Sequence, residues 1–313
     1  MLALLIYALL FLLVAIVSGN NLSACSGAVI SSRIVGEKAG IFITILGYVS
    51  GFLIQGGLLK AGLAAIMPAQ SGYLVAIALT IALLVFIIAH RLRVPQSLTV
   101  TFAMILIGIE IAYGKMPNTI FVFYMVAFWV LSAAFAGMLT LALMKIARKR
   151  MESSRIWVAV GRLKLLLIAV SFLTAFVLGA NTIGFVFASV SGLTNQIYAT
   201  IITIAAIVAG SLLLSKGELN RIGNEIISLR YLNAFVLQSI SVMLVELATI
   251  LSIPASNTQI FTASLYGAGV SYRTRMIRRR PMFIIIFSWL ATAIIGLAAG
   301  YAATTVAYHL LLV

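Results

Sequence analysis

Two short elements of this chain place hydroxyl groups where an anion could be held. Pro95-Gln-Ser97-Leu-Thr99 in the first half recurs as Pro254-Ala-Ser256-Asn-Thr258 in the second. Proline suits the first position of a helix, so Ser97, Thr99, Ser256 and Thr258 are expected in first helical turns. Unsatisfied backbone N–H groups and the positive end of the helix dipole converge there. Such a turn can hold a tetrahedral oxyanion without any basic side chain. Simple capping by serine or threonine is the plainer reading, but capping does not require two elements to match.

A second pair is Ser18-Gly-Asn-Asn21 and Leu178-Gly-Ala-Asn181-Thr182, with Gly19 and Gly179 separated by nearly the same interval as the prolines. Glycine frees the backbone from helical geometry, and asparagine offers both donor and acceptor. Chain breaks are therefore expected here, placing Asn21, Asn181 and Thr182 near the bound anion; ordinary turns at span ends are the alternative. Glu246 is the third candidate, well inside an apolar stretch. A carboxylate at that depth must be paired or protonated, so it could carry a proton or hold a cation. An interhelical hydrogen bond from a protonated acid is the competing role. Glu110, shortly before Lys115, and His309 are expected at the membrane interface, and His90 at a span end.

These groups need a scaffold, and composition says which kind. Of 313 residues, 63% are hydrophobic and 9% charged, against roughly a quarter charged in soluble domains. That excludes an ordinary water-soluble protein. The chain has one cysteine and two histidines, and all six of its acids are glutamate, which leaves little for disulfides or zinc. The net charge of +15 would suit nucleic acid, but the positive residues fall between apolar stretches, where they report topology. No nucleic-acid partner is expected; lipid is. The basic runs Lys145–Arg150 and Arg278–Arg280 read as anchors facing anionic lipid.

Ten apolar segments can be marked: Leu2–Val17, Ala39–Gln55, Gly72–Ala89, Ser97–Tyr113, Thr119–Met144, Leu165–Leu178, Ile197–Leu214, Tyr231–Leu251, Thr258–Val270 and Met282–Val306. Several are short for a bilayer core of about 30 Å. The odd-numbered connections hold nearly all of the 21 Lys and Arg residues, Lys60 and Lys115 being the exceptions. That predicts cytoplasmic odd loops and both termini outside. Leu22-Ser-Ala-Cys25 has the form of a lipoprotein cleavage site, yet no Lys or Arg precedes it.

The matched elements, together with Gly57 and Gly217, Gly108 and Gly267, and Tyr113 and Tyr272, keep one order and an almost constant spacing. The expected architecture is all-α, with about ten spans in two repeats, 1–150 and 151–313. Five spans per repeat is an odd number, so the second copy must enter the membrane in the opposite sense. Secondary transporters use this arrangement, with the binding site at the repeat interface. An enzyme is disfavoured, since there is no aspartate, no histidine cluster and no sizeable soluble domain.

On these motifs the chain resembles the inorganic phosphate transporter (Pit-type phosphate/sulfate permease) family. Members have two inverted halves, each with a Gly-Ala-Asn-Asp-Val-Ala-Asn-Ala motif and later a Pro-x-Ser-Thr-Thr-His motif. Gly19-Asn20-Asn21 and Gly179-Ala180-Asn181 resemble the first motif, and Ser97, Thr99, Ser256 and Thr258 the second. The run Arg221-Ile-Gly-Asn-Glu-Ile-Ile-Ser-Leu towards Pro254 is similar to the family's second half. Leu22 and Thr182 replace the motif aspartates, Cys25 and Phe185 the second asparagines, and Asn257 and Gln259 stand for threonine and histidine. The resemblance implies a plasma-membrane permease for inorganic phosphate, with a substrate set of Asn21, Ser97, Thr99, Asn181, Thr182, Ser256, Asn257 and Thr258. It implies coupling to Na+ or H+, with Glu246 as the coupling candidate, and no other cofactor. Losing the aspartates removes a carboxylate acceptor for the proton of hydrogen phosphate, which shifts the odds toward sulfate, and a site without them binds sodium poorly, which suggests an uncoupled anion channel. Monomer and homodimer both remain open.

Overall fold

A computed structural model describes residues 1–68, 71–91, 97–151, 156–214, 231–271 and 279–311. Gly217, the run from Arg221, Pro95, Tyr272 and Arg278 lie outside these residues. Every regular element among the described residues is helical, without a strand. The helices are α1 (Leu2–Ser31), α2 (Glu37–Gln55), α3 (Leu59–Ile66), α4 (Gly72–Arg91), α5 (Leu98–Ala112) and α6 (Thr119–Met151). There follow α7 (Ile156–Leu178), α8 (Gly184–Ser191), α9 (Gln196–Leu213), α10 (Tyr231–Ile250), α11 (Asn257–Ser271) and α12 (Arg279–Leu311). A 3₁₀ turn at Gly56–Leu58 joins α2 to α3, and a π-helical turn at Gly179–Ile183 joins α7 to α8.

Eight helical stretches among the described residues are long and apolar enough to cross a bilayer. The chain is a multi-pass membrane protein. Ten spans were expected; the shortfall lies at α5 and α11, of 15 residues each. At 1.5 Å per residue each reaches only about 22 Å, less than the hydrocarbon thickness. Each forms a hairpin with the helix before it, α4–α5 and α10–α11, and its N-terminus lies inside the protein, where Ser97 and Ser256 are buried.

The expected chain breaks at the Gly-Asn elements are not found. α1 runs unbroken through Ser18–Asn21, so the span drawn as Leu2–Val17 continues to Ser31. The second element is a π turn inside one continuous stretch from Gly161 to Ser191, not a loop ending at Leu178. Asparagine in mid-helix keeps its backbone bonds, and only its side chain is polar; a hydropathy scan mistakes that for an end. Lys60, assigned to a loop, lies on α3 within a stretch running from Glu37 to Ile66. Cys25 is buried inside α1.

Helix bounds recur at the spacing seen in the motifs: α4 returns as α10, α5 as α11 and α6 as α12, each in nearly the same register. The most extensive contacts cross between these sets. α5 packs on α12 and α6 on α11, while α1 packs on α9 and α2 on α7. Gly108 and Gly267 allow two of these approaches. A Cβ on Gly108 would stand 2.1 Å from the Leu297 carbonyl oxygen, and one on Gly267 2.1 Å from that of Gly137. The short α8 is held by edge-on ring contacts, Phe185 to Phe102 on α5 and Phe187 to Phe52 on α2.

Candidate functional site

The tips of the two hairpins begin their second arms in the same way. Ser97 Oγ accepts from the Val100 N–H at 3.4 Å, and Ser256 Oγ accepts from the Gln259 N–H at 3.2 Å. Capping is therefore what both serines do. Each occupies the third N–H of its helix and leaves the first two, those of Leu98 and Thr99 and of Asn257 and Thr258, without an intrahelical acceptor.

Those four residues line one cleft. Its other walls are Asn20 and Asn21 from α1, Leu178 and Thr182 from the end of α7 and the π turn, Phe86 from α4, and Ser97. The cleft is narrow and partly open to solvent, with a cavity volume of about 20 Å³. Thr99 Oγ1 donates to Thr182 Oγ1 at 3.4 Å, which ties the first tip to the π turn. Asn257 Oδ1 accepts from Ser241 Oγ on α10, leaving the Asn257 amide N–H groups as donors. No ionisable side chain is among the lining residues. The cleft thus offers amides, hydroxyls and two helix N-termini, a set that suits an anion with several acceptor oxygens.

Of the sequence candidates, Asn21, Ser97, Thr99, Thr182, Asn257 and Thr258 are brought together. Ser256 does not line the cleft; it is buried beneath it as a cap. Asn181 is turned away as well. Its Nδ2 donates to Thr249 Oγ1 and to the Ile253 carbonyl, both at 3.0 Å, and its Oδ1 accepts from the Ala255 N–H at 2.8 Å. Buried completely, Asn181 fastens the second tip to the π turn. Trp129 on α6 adds a bond from Nε1 to the Pro254 carbonyl at 2.7 Å. Glu246 is outside the cleft, with Gln55 Nε2 donating to its Oε1 at 2.7 Å. Glu110, expected at the interface, is fully buried on α5, because the helix beneath it is covered by α12. His309 is exposed near the end of α12.

Sequence reasoning missed Asn20 and Phe86. Asn20 has alanine at its counterpart, Ala180, so a search for repeated polar residues passes over it. Phe86 carries no signal, being one aromatic residue in an apolar helix.

A family profile described as "Phosphate transporter family" matches residues 17–300. A solved structure described as "The sodium-dependent phosphate transporter" aligns over 97% of this chain and 98% of its own, with a TM-score of 0.82 and 16% identical residues. No curated protein matches the sequence.

Proposed function

The chain belongs to the phosphate transporter family, and from that premise we propose that it is a secondary transporter moving inorganic phosphate by alternating access with a coupled cation. The observation behind this is the cleft where two helix N-termini and the amides of Asn21 and Asn257 converge. The anion accepts from the free N–H groups of residues 98, 99, 257 and 258 and from the Thr99 and Thr182 hydroxyls. The recurrence of helix bounds supports reading residues 1–150 and 151–313 as inverted repeats, rocking about the cleft in the plasma membrane with both termini external.

Charge arithmetic supports coupling. Each helix N-terminus acts as roughly half a positive charge, so two offset about one unit. Hydrogen phosphate carries two negative charges. With no basic side chain among the described lining residues, the remaining unit requires either the dihydrogen form or a co-transported cation, and Glu246 is the acid we assign to coupling.

A second reading, a permease for sulfate or another inorganic oxyanion, is favoured by the absence of any carboxylate among the lining residues. Such a cleft offers no carboxylate to accept from the proton that distinguishes hydrogen phosphate from sulfate, and so gives hydrogen phosphate no charge-assisted bond that sulfate lacks. One assay separates these readings: uptake of labelled phosphate into proteoliposomes at two pH values, with and without sodium, against competing sulfate. Uphill accumulation under an imposed proton or sodium gradient is expected. Downhill flux alone would establish an uncoupled channel, sulfate uptake exceeding phosphate would establish the second reading, and no flux of either anion would end both.

A further inference from the structure

Gln55 and Glu246, far apart in the chain, meet between the end of α2 and the last turns of α10. Both lie within stretches long and apolar enough to cross a membrane. Gln55 Nε2 donates to Glu246 Oε1 at 2.7 Å, while the other oxygens of the same two groups, Gln55 Oε1 and Glu246 Oε2, are buried without a hydrogen-bond partner. An ionised carboxylate only accepts, and so does an amide oxygen. Two buried acceptors are thus left unsatisfied by the lack of one hydrogen.

From this arrangement we propose that Gln55 and Glu246 form a binding site for a single proton, which closes a two-bond clamp between α2 and α10. The proton adds to Glu246 Oε2, and the new O–H donates to Gln55 Oε1. The existing Nε2–H to Oε1 bond is kept, so the planar amide and the planar acid face each other with both orphan oxygens satisfied. Deprotonation leaves one bond, with Gln55 Oε1 and Glu246 Oε2 again without a donor.

No other described group competes for that role. α10 packs against α1, α6, α7, α11 and the π turn. Their described titratable groups are Tyr7 and Cys25, Tyr124 and Lys145, Arg162 and Lys164, and Tyr266. Cys25 is bonded to Tyr48 of α2, and the Lys164 ammonium lies 5.8 Å from the ring centre of Tyr231. That ring opens α10, about 22 Å along the helix from Glu246. Glu37 and Lys38 open α2, at the end opposite Gln55. Lys60, on the neighbouring α3, is exposed.

The clamp bears on the cleft through the last turn of α10. Thr249, one turn beyond Glu246, accepts from Asn181, and Ser252 Oγ donates to the Leu58 carbonyl at 2.7 Å just past Gln55. A closed clamp therefore stiffens the second tip against the segment from Gln55 to Leu58. This inference deepens the coupling assigned to Glu246, but its test needs no transport.

The test uses the full-length protein in detergent without phosphate. Infrared difference spectra between wild type and Glu246→Gln are recorded as the pH is lowered from 8 to 5, and melting temperatures are taken at both values. A protonated-carboxyl band missing from the variant is expected to grow as pH falls. A proton that adds a bond in the folded state stabilises it at low pH, and this stability is lost as pH rises. Wild type should therefore melt about 2 °C higher at pH 5 than at pH 8. Glu246→Gln, whose added amide N–H can donate to Gln55 Oε1 at any pH, should hold the higher value throughout. Gln55→Leu keeps the acid and should move its band to higher frequency, which tests the pairing even if Glu246→Gln folds poorly. Absence of the band, or an unchanged pH dependence of melting in Glu246→Gln, overturns the proposal. Sodium raising the melting point at pH 8 in wild type but not in that variant also overturns it, since the site would then hold a metal cation. Uptake failing while the band titrates would count against the transport reading alone.

Discussion

At the first hairpin tip, Ser97 caps α5, and Asn21 on the adjoining α1 lines the cleft with no hydrogen bond to another described residue. At the second tip, Ser256 caps α11 in the same way, but Asn181 is consumed by three bonds to residues 249–255, and Trp129 adds a fourth. Equivalent asparagines therefore serve different ends. On the proposed reading one is left for the anion, and the other holds the architecture. The lesson is that a repeated motif fixes where a polar side chain stands and leaves open which partner takes it.

The sharpest way to break this contrast is to remove each amide. Asn181→Ala leaves the buried Ala255 N–H and Ile253 carbonyl without their partner, a cost of about 3 kcal/mol. A clear fall in melting temperature and loss of uptake should follow. Asn21→Ala should leave melting within about 0.5 kcal/mol of wild type while reducing phosphate uptake about tenfold. Equal destabilisation by the two would erase the distinction.

A smaller effect is expected at the tryptophans. Trp289 is the counterpart of Trp129 at the repeat spacing, but its indole N–H is buried without a hydrogen-bond partner among the described residues. Trp129→Phe should cost about 1.5 kcal/mol through the orphaned Pro254 carbonyl. Trp289→Phe should be close to neutral by the same thermal assay. A large cost at position 289 would show that the first tip is held as firmly as the second.

The serines give the smallest difference. Ser97→Ala and Ser256→Ala should each cost about 1 kcal/mol as lost caps. Only the change at Ser97, which lines the cleft, should also raise the KM for phosphate. A matching rise at Ser256 would mean that the second cap contacts substrate directly.

How far the sequence disclosed this can be judged from particular residues. The hairpin-tip elements were legible because Ser97, Thr99, Asn257 and Thr258 are polar groups beside proline in apolar surroundings. Continuity of α1 through Asn20 and Asn21 was not, since a short polar run lowers hydropathy without breaking backbone bonds. The task of Asn181 was hidden because its partner Ala255 is remote in the chain and is bonded through its main chain. Glu246 stood out by its charge, whereas Gln55 did not, being a neutral residue at the end of an apolar stretch.

The π turn at Gly179–Ile183 has a consequence for length variation. A π turn holds one residue more than an α turn in closing its hydrogen-bonded ring, and one residue rotates a helix by about 100°. The wider turn absorbs that extra residue, so deleting a single amino acid there would restore regular winding and leave α8 close to its present orientation. Phe185 and Phe187 would keep Phe102 and Phe52, the rings that dock α8 against both α5 and α2. A deletion in the regular part of α7 has no such slack and would turn all of α8 off those rings, so tolerance of a one-residue loss should be confined to the π turn.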